Sequence, residues 1–176
     1  MILALDPTMN NIGAALFDDD GTLLGVSCIK PDKGLTDPED KALSMGRQLA
    51  EHIKEHKVTD IVAEVTTGKI RNIDAARSLY KAEGGVQMIA GALGIRYHKV
   101  SVGDVKDAAV GRRQEVEKDE MIEAALKLKP TPPLSRKKNG EILINKAEHE
   151  ADAIFVGRAY LQQRAYREAI KNENNG

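Results

Sequence analysis

A chain of 176 residues, 41% hydrophobic and 30% charged, has the length and composition of one soluble domain with a real core. Its 26 Lys and Arg balance 27 Asp and Glu, so a net charge of −1 does not announce a nucleic-acid binder, and local charge has to be read instead. The lone Cys28 excludes an internal disulfide and a cysteine-based metal cluster, while no Trp, two Phe and four Tyr leave little for extensive base stacking.

The chain opens on a wholly apolar run, Met1 to Leu5, that ends in Asp6. With no polar alternation it reads as a strand buried on both faces. Two readings of Asp6 stand on this stretch alone. It is a turn or cap residue beside Pro7, or it is a buried carboxylate that needs a cation or a donor, because an isolated buried charge costs several kcal/mol. Asn10-Asn11 turns the chain, residues 12–17 form a second strand, and Asp18-Asp-Asp-Gly21 is a hairpin turn into a third strand over 22–29. After a polar loop over 30–36, Asp37-Pro38-Glu39 supplies an N-cap, a proline at the first helical position and an acid in the first turn. The helix it starts runs to about Glu55 on the spacing of Ala42, Gly46, Leu49, Ala50 and Ile53.

Asp60 to Glu64 is a second apolar run ending in a carboxylate, and because it follows a helix it lies parallel to the first strand. Asn72 caps a helix through Leu93 with Gly84-Gly85 inside it, each Gly costing about 1 kcal/mol relative to Ala. A kink or the close approach of another helix, such as one from a second copy of the chain, would account for the pair. Ile95 to Val100 is a fifth strand, 105–110 a short helix and 115–128 a further one. Residues 129–146 form a proline-rich connector with a basic cluster, Arg136, Lys137 and Lys138, at an Asn139-Gly140 turn, read as a small flexible hairpin. The last helix spans about 146–170, and 171–176 is a frayed tail. No apolar run nears the ~20 residues of a membrane span and the opening run is too short for a signal sequence, so a cytoplasmic protein is expected. The order of elements predicts an α/β fold, a five-stranded mixed sheet flanked by helices.

Both Asp6 and Glu64 would emerge at the same end of that sheet, where α/β folds place ligands. In Glu148-His149-Glu150-Ala151-Asp152, the spacing puts Glu148, His149 and Asp152 on one helical face, with Glu150 pointing elsewhere. Acids in a first helical turn are favoured by the helix dipole alone, so capping is one reading of this cluster. The other is a site for one or two Mg²⁺ or Mn²⁺ ions, since pooled carboxylates from separate segments repel one another without a cation. Two ions ~4 Å apart can activate water and stabilise the leaving oxygen of a phosphodiester.

The chain resembles the RuvC family of Holliday-junction resolvases, which have an RNase H-like fold. The likeness rests on Leu5-Asp6-Pro7 with Ile12-Gly13, Val62-Ala-Glu64-Val65, Val105-Lys106 to Gly111, Glu117-Lys118-Asp-Glu-Met, and His149-Glu-Ala-Asp152-Ala153. It implies that Asp6, Glu64, His149 and Asp152 hold divalent metal, that His149 is a familiar variant at its position, and that Lys106 and Lys118 serve near the scissile phosphate. The interval from Lys106 to Lys118 is about one residue longer than the family pattern. Where cellular members carry an aromatic after the strand-four glutamate, this chain has Thr66-Thr67-Gly68. With the longer basic connector and the lower net charge, these departures resemble a divergent, bacteriophage-type branch with room for a broader branched-DNA range, which would place the protein in a host cell's cytoplasm.

The resemblance therefore implies a crossover junction endodeoxyribonuclease, acting as a homodimer on four-way junctions and using Mg²⁺ or Mn²⁺, with two ions in each site. Lys69, Arg71, Arg112, Arg113, Arg136, Lys137 and Lys138 are the basic residues whose loops could meet DNA phosphates. Two alternatives stand beside it: a YqgF-like nuclease of the same fold acting on structured RNA, and a non-catalytic branched-DNA-binding protein whose acids only cap helices. An actin-like ATPase opens with a similar strand, Asp and hairpin, but it needs two such domains.

Overall fold

Side-chain parity in the first strand decides which way the first carboxylate faces. In the computed structural model, which describes residues 1–65 and 72–174, strand β1 spans Ile2–Pro7. Ile2 and Ala4 face one hydrophobic layer and Leu3 and Leu5 the other. Strands alternate with period two, so Asp6 follows Ile2 and Ala4. The same holds in β4 (Asp60–Val65), where Val62 shares the first layer and puts Glu64 on that face.

The sheet has the order β3-β2-β1-β4-β5, with β2 (Ile12–Phe17) and β3 (Leu23–Ile29) antiparallel to their neighbours and β5 (Arg96–Ser101) parallel to β4. β1 and β4 run parallel, as expected from the helix between them. Helices α1 (Pro38–Glu55) and α2 (Ile73–Ala92) cover the face of Leu3 and Leu5. Helices α3 (Val102–Val110), α4 (Lys118–Leu126) and α5 (Ile144–Asn174) cover the face of Ile2 and Ala4. Burial on both faces is why β1 has no polar alternation before Asp6. No helix among the described residues is long and apolar enough to cross a membrane.

The α5 helix lies directly against β1 and β2 because two glycines make room. A Cβ on Gly13 would sit 2.0 Å from the carbonyl oxygen of His149, and one on Gly157 would sit 2.1 Å from the Phe17 ring. Gly13 is the strand partner of Asp6, and Phe17 is that of Ile2. The helix is thus pinned at both ends of one strand pair, and Ala147, Ala151, Ile154 and Phe155 are buried there.

Several boundaries differ from the sequence expectation, each for a local reason. The α3 helix begins at Val102 rather than 105 because Ser101 caps it, its Oγ accepting from Asp104 N at 3.2 Å and donating to Asp104 Oδ2 at 2.7 Å. The α4 helix is shorter than 115–128, since Glu115 has φ 53 and Glu117 with Glu120 forms the capping box. The α5 helix starts at Ile144, where Leu143 O accepts from Lys146 N and Ala147 N, and it carries 171–174 as helix rather than frayed tail. Gly84-Gly85 lies within an unbroken α2, and among the described residues nothing lies within 4 Å of a Cβ added at either position.

Gly13→Ala should cost about 2–3 kcal/mol through overpacking of strand against helix backbone. Urea unfolding followed by far-UV circular dichroism checks it. A variant as stable as wild type would mean that α5 does not press on β2 as described.

Candidate active site

At the C-terminal ends of β1 and β4, the parity set above delivers two carboxylates under the start of α5. His149 Nδ1 lies 2.6 Å from Asp6 Oδ2. With Nδ1–H donating to Asp6, the lone pair on Nε2 faces Asn11 Nδ2 at 3.4 Å. Asn11 is held in the β1–β2 turn by Thr8, whose Oγ1 donates to Asn11 O at 2.7 Å and accepts from Asn11 N at 3.1 Å. The hydrogen bond that His149 donates to Asp6, opposed by burial, raises the His149 pKa above the ordinary imidazole value.

Beside this pair lies a cleft of about 250 Å³ lined by Glu64, Asp152, Glu148, Lys106 and Lys118. Burial, followed by the charges of Asp6 and Asp152, pushes Glu64 up to about 8. Burial, then Asp6 and Glu148, pushes Asp152 up to about 7. Lys106 partly offsets the Glu64 shift, and His149 and then Lys118 that of Asp152. Lys118 Nζ is paired with Glu148 Oε1 at 2.6 Å, which raises the Lys118 pKa. The structure thus gathers all six residues expected at the catalytic centre, from β1, β4, α3, α4 and α5, and adds Glu148 as the partner of Lys118. Carboxylates that share a low-dielectric cleft and hold protons near neutrality are short of positive charge. That donor set, carboxylate oxygens with one imidazole, fits a hard divalent cation.

The expected DNA-contacting residues fall into separate groups. Lys69 and Arg71 lie outside the described residues. Arg112 is paired with Glu120 at 2.5 Å and Arg113 with Asp104 at 2.8 Å, both on the loop between α3 and α4. Arg136, Lys137 and Lys138 ride on a small hairpin closed by an Arg136–Ile142 bridge and a Lys137 N to Glu141 O bond of 2.7 Å.

Sequence reasoning missed what anchors this hairpin. Glu150 does face away from His149, yet it is buried, only 2% exposed, and accepts from Ser135 N at 2.7 Å and Ser135 Oγ at 2.5 Å. Leu134, next to Ser135, is buried in the α5 layer. The basic hairpin is therefore fastened one residue from His149, not loosely tethered. An acid near the start of a helix carries no sequence mark that separates this role from capping.

Comparison with known structures supplies the wider context. No protein-family model matches the chain, and no curated protein matches it by sequence. Among solved structures, the chain is similar to Thermus thermophilus RuvC in complex with a Holliday junction substrate (17% identity, 90% of each chain, TM-score 0.64). Thermus thermophilus RuvC is also similar in another structure (16% identity, 90% of this chain and 91% of that one, TM-score 0.63). The yeast mitochondrial Holliday junction resolvase Ydc2 matches over 97% of this chain and 83% of its own at 15% identity, TM-score 0.62. The chain has the RuvC-type, RNase H-like fold, and the resemblance read from its sequence holds at that level.

Two outcomes follow from the site alone. Glu64 and Asp152 bind protons more tightly folded than unfolded, where their pKa values are about 4. Their stabilising contribution is therefore complete below about pH 4 and is lost as pH rises through about 7 and about 8. His149, also raised, acts in the same sense. In chelator, the melting temperature should fall between pH 5 and pH 8.5, and Glu64→Gln with Asp152→Asn should flatten that slope. A wild-type slope unchanged by the double substitution would contradict the electrostatic description. Separately, Glu150→Ala should cost about 2 kcal/mol by stranding the Ser135 donors. It should also speed amide exchange over 134–143 selectively, as read by hydrogen-exchange mass spectrometry.

Proposed function

We propose that the protein is a divalent-metal-dependent endonuclease that resolves four-way DNA junctions by paired phosphodiester hydrolysis, a crossover junction endodeoxyribonuclease. The observation that carries this reading is that the Asp6–His149 pair lies beside the cleft lined by Glu64 and Asp152, whose carboxyls hold protons near neutrality, on the fold of junction resolvases. Asp6, Glu64, His149 and Asp152 would hold Mg²⁺ or Mn²⁺, two ions in each site. Bound there, the metal supplies an activated water and neutralises charge at the phosphate.

The protein groups have their own tasks. Asp6 orients the His149 ring through Nδ1, leaving Nε2 to ligate or to accept from Asn11. Lys106 and Lys118 place positive charge at the cleft wall, where a phosphodiester and its developing negative charge would sit. A phosphate that approaches Lys118 competes with Glu148 for it, so substrate entry exchanges one ion pair for another. The hairpin with Arg136, Lys137 and Lys138, fixed by Glu150, meets the DNA backbone beside the site and gives salt-sensitive binding that does not depend on sequence.

A junction has two strands to cut, and a homodimer presents two sites to it. Helix α2 supplies the face for that contact: Ile73, Tyr80 and Met88 are exposed, and Gly84-Gly85 leaves open room against the helix backbone. Thr66-Thr67-Gly68, where cellular resolvases carry an aromatic, supports the bacteriophage-type reading and a broad branched-DNA range.

End-labelled four-way junction, linear duplex and structured RNA, each incubated with Mg²⁺ or Mn²⁺ and with EDTA, test the reading. Symmetric nicks on the junction alone, and only with metal, are expected. Asp6→Asn should lower cleavage at least about 100-fold while leaving junction binding intact. Cleavage of RNA in preference to the junction, binding without cleavage in any metal, or wild-type cutting by Asp6→Asn would each overturn it.

A further inference from the structure

The face that ends α1 carries a cluster that the proposed nuclease chemistry does not use. His52, Glu55 and His56 occupy positions i, i+3 and i+4, which share one side of a helix. Each offers a ligand atom, and these atoms lie within 4.8 Å of one another. The two imidazole rings meet edge to face, with centroids 4.5 Å apart and planes at 68°. The α1 helix runs into β4 at Asp60, whereas Glu64 lies at the far end of that strand, on the order of 13 Å along it.

We propose that His52, Glu55 and His56 form a second cation site, separate from the nuclease centre, for a transition-metal ion of the Zn²⁺ class. Three arguments converge on that class. Two imidazoles and one carboxylate are borderline ligands that suit Zn²⁺, Co²⁺ or Ni²⁺, whereas Mg²⁺ favours oxygen donors such as those of the other cleft. Ligands around tetrahedral Zn²⁺ sit roughly 3.3 Å apart, given metal–nitrogen bonds of about 2.0 Å. Partly and fully exposed side chains can close from 4.8 Å to that spacing by small rotamer changes. The position is also favourable for a cation, because it is a helix C-terminus: His56 is the C-cap, and its N–H reaches back to His52 O and Lys54 O.

The occupied site would clamp the last turn of α1. Lys57 follows at φ 50, and Val58 N bonds Ile53 O at 3.1 Å, so this turn delivers the chain into β4. Three protein ligands leave a fourth position for water. Binding to the folded chain alone would raise its stability by mass action.

The test uses full-length protein with the other cleft weakened by His149→Ala and Asp152→Asn. Titration with ZnCl₂ by calorimetry, and with CoCl₂ by visible absorbance, should show one equivalent bound. Added His52→Ala or His56→Ala should weaken it by about tenfold or more. In the otherwise wild-type chain, His56→Ala should leave Mg²⁺-supported junction cleavage unchanged. Imidazole resonances of the wild-type protein give a measurement independent of that background: Zn²⁺ should shift those of His52 and His56 together. No saturable uptake, uptake indifferent to both histidines, or a Zn²⁺ response at His149 alone would overturn the proposal.

Discussion

The close seating of α5 on the β1–β2 pair is the constraint on which the site depends. Gly13 lets the helix backbone approach the strand at His149, and Gly157 lets it approach Phe17. The two contacts match in length: eight residues of helix rise about 12 Å. Four residues of strand, from Asp6 back to Ile2, span about 13 Å. Helix and strand therefore stay in register, and His149 meets the carboxylate of Asp6 at 2.6 Å rather than passing over it. A side chain at either glycine would lift α5 and separate the residue sets that β1, β4 and α5 bring together.

That seating also explains why the charges there are poorly balanced. Covering the sheet with α5 desolvates the half-buried Glu64 and Asp152, which then hold protons up to about 8 and about 7. Among the described residues, Lys106 opposes the shift at Glu64 and His149 and Lys118 oppose that at Asp152, and Lys118 is already engaged by Glu148. The opposite end of β4 shows the contrasting solution. Asp60, also buried, receives both Arg96 Nε and Nη2 at 2.7 Å, with His98 at 2.9 Å and Thr59 at 2.8 Å, and its carboxyl is held well below the usual range. One strand thus begins on a carboxylate that is fully partnered and ends near one that, among the described residues, is not. The first reads as structure, and the second as a place for a ligand.

The legible part of this protein was its periodicity. Uninterrupted apolar runs mark β1 and β4, the Asp37-Pro38-Glu39 start marks α1, and strand-end carboxylates with an i, i+3 pair on a late helix mark the candidate site. Contacts that depend on tertiary approach were not legible. Gly13 looks like any strand glycine until α5 is laid against it, and Gly157 carries no mark within its helix. Glu150 was placed correctly as facing away from the site, but its burial against Ser135 depends on how 129–143 folds back. Boundaries moved where side-chain caps, Ser101 and Glu117, competed with hydrophobic spacing.

Crystals grown with Mn²⁺ and measured for anomalous scattering test the link between that seating and the chemistry most directly. Anomalous peaks are expected within bonding distance of Asp6, Glu64, His149 and Asp152, lost in Gly13→Leu protein that still folds. Peaks that lie elsewhere, or an empty cleft between those four side chains at saturating Mn²⁺, would contradict it.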